Sequence, residues 1–273
     1  MNVVLINPYE LGRQPFGLAE PAAWLQREGC SVRCCDLSIQ KLEEAVSPDT
    51  ELVAIYIAMH TATRIAVQAL PKMRALAPQA RLCVYGLYAP MNETLFRSMG
   101  VETVLGGEFE PGLVSLVRRL RAGDGGAQTE PLISLEKIDF ISPARDTLPP
   151  LEHYASLILP DGTRRTVGFA ETTRGCKYHC RHCPVVPVYR GAFRVIPAGL
   201  VLEDIRGQVA RGAQHISFGD PDFFNGPGHA LRIVHAMHAE FPGLTYDATI
   251  KIEHIARYPD AVRELRTTGC LFI

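Results

Sequence analysis

Three cysteines, Cys176, Cys180 and Cys183, stand in a C-x3-C-x2-C array between Arg174 and Pro184. Thiolates are the usual ligands of iron–sulfur clusters, and this spacing lets one compact loop aim three sulfurs at a single group. Three thiolates would hold three irons of a [4Fe–4S] cluster and leave the fourth open to a substrate or cofactor. The same cysteines with His179 or His182 would also make a Cys3His zinc set. Small zinc modules usually bring their ligands as two separated pairs, and no second pair follows here. The spacing therefore favours the cluster over zinc, and either metal over three unliganded thiols.

The remaining cysteines, Cys30, Cys34, Cys35, Cys83 and Cys270, fall in or beside apolar runs and read as core residues. A chain of 273 residues suggests two domains. With 47% hydrophobic and 21% charged residues it can bury ordinary cores and is not expected to be disordered. A formal net charge of −1 provides no global field to draw nucleic acid. The sequence shows no signal peptide and no 18-residue apolar span, so a cytoplasmic, non-membrane protein is expected. A reducing compartment also suits thiolate ligands.

The elements that must position the loop follow from periodicity. Apolar runs at Val3–Ile6, Ser31–Cys35, Leu52–Ile57, Arg81–Tyr85 and Glu102–Leu105 predict strands. Helices are expected over Leu18–Arg27, Ser38–Ala45, Thr63–Leu76, Asn92–Met99 and Pro111–Leu120. Strictly alternating units with apolar strands imply a parallel sheet covered on both faces, and right-handed crossovers make it doubly wound and flavodoxin/Rossmann-like. Ligands of such sheets sit at the carboxyl ends of the strands, here Asn7-Pro8-Tyr9, Met59–Thr61, Gly86–Tyr88 and Gly106–Glu110. His60 at one such end reads as a hydrogen-bonded loop residue rather than a ligand. The first turn has no Gly-x-Gly-x-x-Gly fingerprint, which argues against nucleotide binding there.

Residues 122–165 are rich in Gly and Pro and read as a linker, with a hairpin across Pro160-Asp161-Gly162. A second series starts with the strand Val167–Glu171 and the cysteine loop. An extended arm is expected over Val185–Ile196, then a helix over Leu200–Ala210 and a strand over Gln214–Phe218 ending in Gly219–Phe223. A helix over Ala230–Glu240, a strand over Leu244–Ile250, a loop with Lys251 and Glu253, a helix over Ala261–Arg266 and a strand from Cys270 complete the chain.

With its strand context and with His182 just before the last cysteine, the C-x3-C-x2-C array resembles the radical S-adenosylmethionine superfamily. The resemblance implies that Cys176, Cys180 and Cys183 ligate a [4Fe–4S] cluster, whose open iron binds the amino and carboxylate groups of S-adenosylmethionine. It further implies that His182 lies against the adenine, that Asp220 or Asp222 at the second strand's end meets the amino group, and that Lys251 meets the carboxylate. The residues alone would equally suit an Asp-Pro-Asp turn and a solvated Lys251–Glu253 pair.

Residues 1–121, from Asn7-Pro8 through Gly107–Glu110, resemble the cobalamin-binding domain found ahead of many such barrels, and Ser142–Asp146 with Leu148–Leu151 resembles their connector. No Asp-x-His-x-x-Gly occurs, so no histidine is marked as a lower cobalt ligand, and cobalamin binding stays open against a purely structural domain. The expected fold is α/β. A doubly wound domain at 1–121 and a linker at 122–165 precede an incomplete TIM-like (β/α)6 radical barrel at 166–273. Only three of about six barrel units are complete, so the sequence is expected to be a piece of a longer protein.

The function that follows is reductive cleavage of S-adenosylmethionine to a 5′-deoxyadenosyl radical for substrate modification, with cobalamin-dependent methylation as its extension. An electron donor such as flavodoxin or ferredoxin would be the partner, and the substrate is unread. The competing reading is a non-catalytic α/β binding module carrying a structural metal loop.

Overall fold

The structure is a computed structural model that describes residues 1–273. It contains two compact units, Met1–Pro149 and Pro150–Ile273. In the first, β1 (Asn2–Asn7), α1 (Phe16–Arg27), β2 (Ser31–Asp36), β3 (Leu52–Tyr56) and α2 (His60–Leu76) are followed by β4 (Arg81–Tyr85) and α3 (Glu93–Ser98). The series closes with β5 (Thr103–Gly107), α4 (Glu110–Arg121) and the short β6 (Ile133–Ser134). The strands are all parallel, in the order β2-β1-β3-β4-β5-β6. That is the doubly wound, flavodoxin-like order with one strand added at the edge.

Side-chain alternation explains why these strands are apolar throughout. Val4, Ile6, Val53, Ile55 and Val84 pack with Ala66, Leu70 and Met73 of α2 and Phe96 of α3. Their neighbours Val3, Leu5, Leu52, Ala54 and Tyr85 pack on the opposite face with Leu18 and Leu25 of α1 and Leu113 and Val117 of α4. Cys34 and Cys35, adjacent in β2, go to opposite cores, and burial pushes both thiols up to about 12. They are neutral core groups, as expected for cysteines in apolar runs.

Two local expectations change. The helix expected over Ser38–Ala45 is only a 3-10 turn at Leu42–Glu44. Side chains instead close a turn directly after β2: Ser38 N–H donates to Asp36 Oδ1 at 3.0 Å, and Asp36 N–H donates to Gln40 Oε1 at 3.0 Å. The stretch expected to be a linker also supplies structure. It places β6 beside β5, with Gly106↔Ile133 and Gly107↔Ser134 in register. It then fastens onto α1 and the loop before it. Ala144 N–H donates to Ala19 O at 2.8 Å, and Gln14 Nε2 donates to Pro149 O at 3.0 Å.

In the second unit, β7 (Ser156–Ile158), β8 (Arg164–Ala170), β9 (Thr173–Gly175), α5 (Val185–Tyr189) and β10 (Phe193–Val195) precede α6 (Ala198–Ala210). Then come β11 (His215–Phe218), α7 (Pro227–Glu240), β12 (Thr245–Ala248), α8 (Ile252–Arg257), α9 (Pro259–Thr267) and β13 (Cys270–Phe272). The main sheet runs β13-β12-β11-β8-β7, parallel except for the β7–β8 hairpin. The hairpin turns at Pro160-Asp161-Gly162 as expected, with Gly162 at φ +84°. Its second arm continues without a break into the first parallel strand.

One face of this sheet is packed against helices: Phe218 meets Tyr246 edge-on, and the Tyr246 hydroxyl donates to Leu265 O of α9 at 3.1 Å. The other face is polar. His215 Nε2 and Ser217 Oγ lie 2.9 and 2.5 Å from one oxygen of Asp247, and His215 Nδ1 lies 2.8 Å from Thr245 Oγ1. Residues 185–196, expected to be extended, instead form α5 and then β10. Burial of Val185, Val188 and Tyr189 overrides the strand preference of a Val-rich run, and left-handed Arg190 (φ 49°) and Gly191 (φ 84°) end the helix. The loop expected after Lys251 is the short helix α8.

Candidate metal centre

Strand β8 ends at Ala170, and the chain turns into β9, which pairs antiparallel with β10. The cysteine loop begins where β9 stops. Gly175 sets its direction with φ +76°, a left-handed value that favours glycine. A Cβ there would stand 2.5 Å from the Tyr189 ring and 2.6 Å from Ala192 O. The loop then bends back on itself through Cys183 N–H donating to Cys180 O at 3.1 Å.

Cys176 is buried, Cys180 and Cys183 are half-buried, and none forms a disulfide. His179 packs over Gly191, whose added Cβ would lie 2.4 Å from the imidazole, and His182 is exposed. No three or more His, Cys, Asp or Glu side chains stand close enough together to hold a single metal ion. The Cys3His zinc set is therefore not assembled. A cubane makes a different demand, because each thiolate takes a separate iron and the sulfurs stand farther apart. Three unbridged thiols on one glycine-hinged loop are a donor set that fits it.

The two aspartates proposed at the end of β11 are already engaged within the protein. Asp220 is buried, accepting from Thr172 N–H at 3.0 Å and from the hydroxyls of Thr172 and Thr173 at 2.7 and 2.6 Å. Burial raises its pKa, opposed chiefly by the two threonine hydroxyls. Asp222 Oδ1 accepts from Phe224 N–H at 3.1 Å and approaches Lys251 N at 3.4 Å. Its Oδ2 lies 2.8 Å from His254 Nδ1, at an angle outside the range of an ideal hydrogen bond. Lys251 pairs with Glu253 at 2.7 Å, and its ammonium sits 4.1 Å above the ring of Tyr178. The bonded Glu253 raises the Lys251 pKa, with Cys180 and Tyr178 adding to the effect.

Sequence reasoning did not single out Asn225, His254 or Tyr178. Asn225 braces the first cysteine: its Oδ1 accepts from Lys177 N–H at 3.3 Å and lies 3.5 Å from Cys176 Sγ, while its Nδ2 donates to Gly175 O at 3.3 Å. His254 lies 2.5 Å from the Tyr178 hydroxyl. The available signal was the helical spacing of Lys251, His254 and Ile255, obscured by the shortness of α8.

In the first unit, the carboxyl edge of the sheet has Gly86 (φ +106°) and Gly107 (φ +70°) at two strand ends. Its one histidine, His60, expected in a loop, is instead the exposed first residue of α2, with Nε2 3.4 Å from Thr61 Oγ1. No helix of the protein is long and apolar enough to cross a membrane.

No family model and no curated protein matches this sequence. The fold does match solved structures of a radical S-adenosylmethionine methyltransferase, TsrM, from Kitasatospora setae. The structure with tryptophan substrate and an S-adenosylmethionine analogue superposes with a TM-score of 0.73 at 18% identity over 98% of this chain and 58% of that one. The structure with cobalamin and a [4Fe–4S] cluster bound gives a TM-score of 0.69 at 17% identity, over 98% of this chain and 57% of that one. The α/β architecture, a doubly wound sheet followed by a partial barrel of parallel strands and helices, is thus shared with these structures. This chain spans just over half of their length.

Proposed function

We propose that this chain is part of a radical S-adenosylmethionine enzyme in which Cys176, Cys180 and Cys183 hold a [4Fe–4S] cluster. The observation that carries the reading is the placement of three unbridged cysteines on one loop, just beyond the first parallel strand of a partial barrel. When bound, the cluster would supply the electron that cleaves S-adenosylmethionine to a 5′-deoxyadenosyl radical. The residues around it bind and orient. Asn225 steadies the backbone on both sides of Cys176, and exposed His182 is assigned to the adenine.

The carboxylates of Asp220 and Asp222 serve the protein's own donors, so backbone carbonyls beyond β11 are assigned to the amino group of S-adenosylmethionine. Lys251 is assigned to its carboxylate, in exchange for Glu253. Cobalamin at the first unit, and methyl transfer through it, is the finer proposal, supported by the fold match. Exposed His60 is not placed as a lower cobalt ligand, so the corrinoid would bind without a histidine from this unit. A low-potential donor such as flavodoxin or ferredoxin would deliver the electron.

The test is anaerobic reconstitution with iron and sulfide. Iron and sulfide should bind in equal amounts with broad visible absorption, and Cys176→Ala should abolish both. Reduction with dithionite in the presence of S-adenosylmethionine should release 5′-deoxyadenosine. Zinc bound tightly in place of iron, with no sulfide taken up, would overturn the reading.

A further inference from the structure

Tyr178 stands between the first two cysteines of the loop, and its hydroxyl lies 2.5 Å from His254 Nε2. His254 is 1% exposed, and its other nitrogen faces Asp222 at 2.8 Å. The ring of His254 is thus held between the phenol at Nε2 and the carboxylate at Nδ1. Asp222 is itself anchored beyond β11 by the backbone N–H of Phe224. Three side chains thus run in series from the end of the second parallel strand to the middle of the cysteine loop. The two rings stand 4.9 Å apart at 59°, and the Lys251 ammonium rests on the tyrosine.

Elsewhere on the loop Lys177 Nζ donates to Asn225 O at 2.8 Å and His179 packs over Gly191, while Arg181 and His182 are exposed. Tyr178 is the half-buried side chain that ties the stretch between Cys176 and Cys180 to α8. Burying a histidine against a carboxylate carries a desolvation cost that apolar packing would avoid, and spending it beside a ligand loop points to geometry rather than to bulk stability.

We propose that Asp222, His254 and Tyr178 are positioning residues that hold the cysteine loop in its ligating shape before any metal is present. The inference rests on the cluster reading above for its purpose, but not for its detection. Partners behind metal ligands fix ligand orientation, and their loss typically lowers metal affinity by about 10–100-fold.

The test uses Tyr178→Phe, His254→Ala, His254→Gln and the double variant Tyr178→Phe/His254→Ala in the full chain. In the metal-free protein, trypsin cleavage after Lys177 and Arg181 reports release of the loop. In the reconstituted protein, the rate of cluster bleaching by a chelator reports ligand orientation. Tyr178→Phe, which keeps the ring, and His254→Ala should each raise both rates about tenfold. The double variant should be no faster than the single ones, because the three groups act as one unit. His254→Gln, whose amide can serve both neighbours, should restore most of the protection.

Wild-type rates in Tyr178→Phe, or effects that multiply in the double variant, would overturn the proposal. Failure of the wild-type chain to take up iron would instead overturn the cluster reading, and the proteolysis would still decide whether the relay holds the loop.

Discussion

Gln208 of α6 and Phe169 of β8 form a two-way amide pair. Gln208 Oε1 accepts from Phe169 N–H at 2.8 Å, and Gln208 Nε2 donates to Phe169 O at 3.0 Å. Beyond Thr166 the hairpin strand β7 no longer covers β8, and the glutamine amide occupies the hydrogen-bonding positions that a neighbouring strand would fill. Both residues are buried. Gln208→Ala leaves two buried backbone groups unpaired, at about 1–3 kcal/mol each. The expected loss is about 3 kcal/mol in chemical denaturation of the second unit. A loss below about 1 kcal/mol would mean that water reaches this edge.

Gly175 controls the start of the cysteine loop. Gly162 provides a matched comparison, because its φ of +84° is similar to +76° at Gly175, yet a Cβ there meets nothing within 4 Å. Gly162→Ala should therefore show only the left-handed penalty of about 1–2 kcal/mol, with normal iron uptake. Gly175→Ala adds overlap with the Tyr189 ring and Ala192 O, which must move the backbone next to Cys176. Iron bound per chain should fall severalfold in Gly175→Ala and stay at the wild-type level in Gly162→Ala. Equal iron contents in the two variants would show that the hinge does not govern the site.

The strands were the most legible part of this sequence, for a physical reason. Val3–Ile6 or Leu52–Ile57 are buried on both sides, so every residue reports the core. The cysteine spacing was equally legible, because a single loop supplies the ligands. His254 was not, since its meaning depends on Asp222 and Tyr178, which are 32 and 76 positions away by the numbering. Residues 185–189 misled for the opposite reason, because burial of Val188 and Tyr189 decided a local preference that the sequence states as extended. Asp220, just beyond β11, was set at the amino group of S-adenosylmethionine by the resemblance, and only the contacts reveal that its oxygens accept from Thr172 and Thr173.

In the first unit, α1 passes the sheet at Gly17, where an added Cβ would lie 2.3 Å from the Tyr56 ring. The carbonyl of Gly17 also accepts from the Tyr85 hydroxyl at 2.9 Å, so the helix cannot retreat without losing a buried hydrogen bond. Overpacking of this kind costs about 1–3 kcal/mol. Gly17→Ala should destabilise the first unit by that amount, and the cost should shrink in a Tyr56→Leu background. An undiminished cost in that background would place the strain elsewhere.

Asp220 makes stability depend on pH in a direction that is unusual for a carboxylate. Most paired carboxylates are depressed and stabilise the fold above their ordinary pKa. Here burial outweighs the three donors and raises the folded-state value above the ordinary 3.8. The neutral acid's contribution is then fully present below the unfolded-state pKa and is lost as pH rises through the folded-state one. Asn is a neutral analogue whose oxygen can accept from Thr172 N–H while the threonine hydroxyls rotate to accept its amide. Asp220→Asn should therefore cost about 1 kcal/mol in acid. That cost should shrink as pH rises and the wild-type carboxyl ionises without water. Denaturation of both proteins across this range gives the difference directly. Parallel curves would mean that Asp220 has its ordinary affinity for the proton, and a cost that grows with pH would mean that the threonine donors dominate over burial.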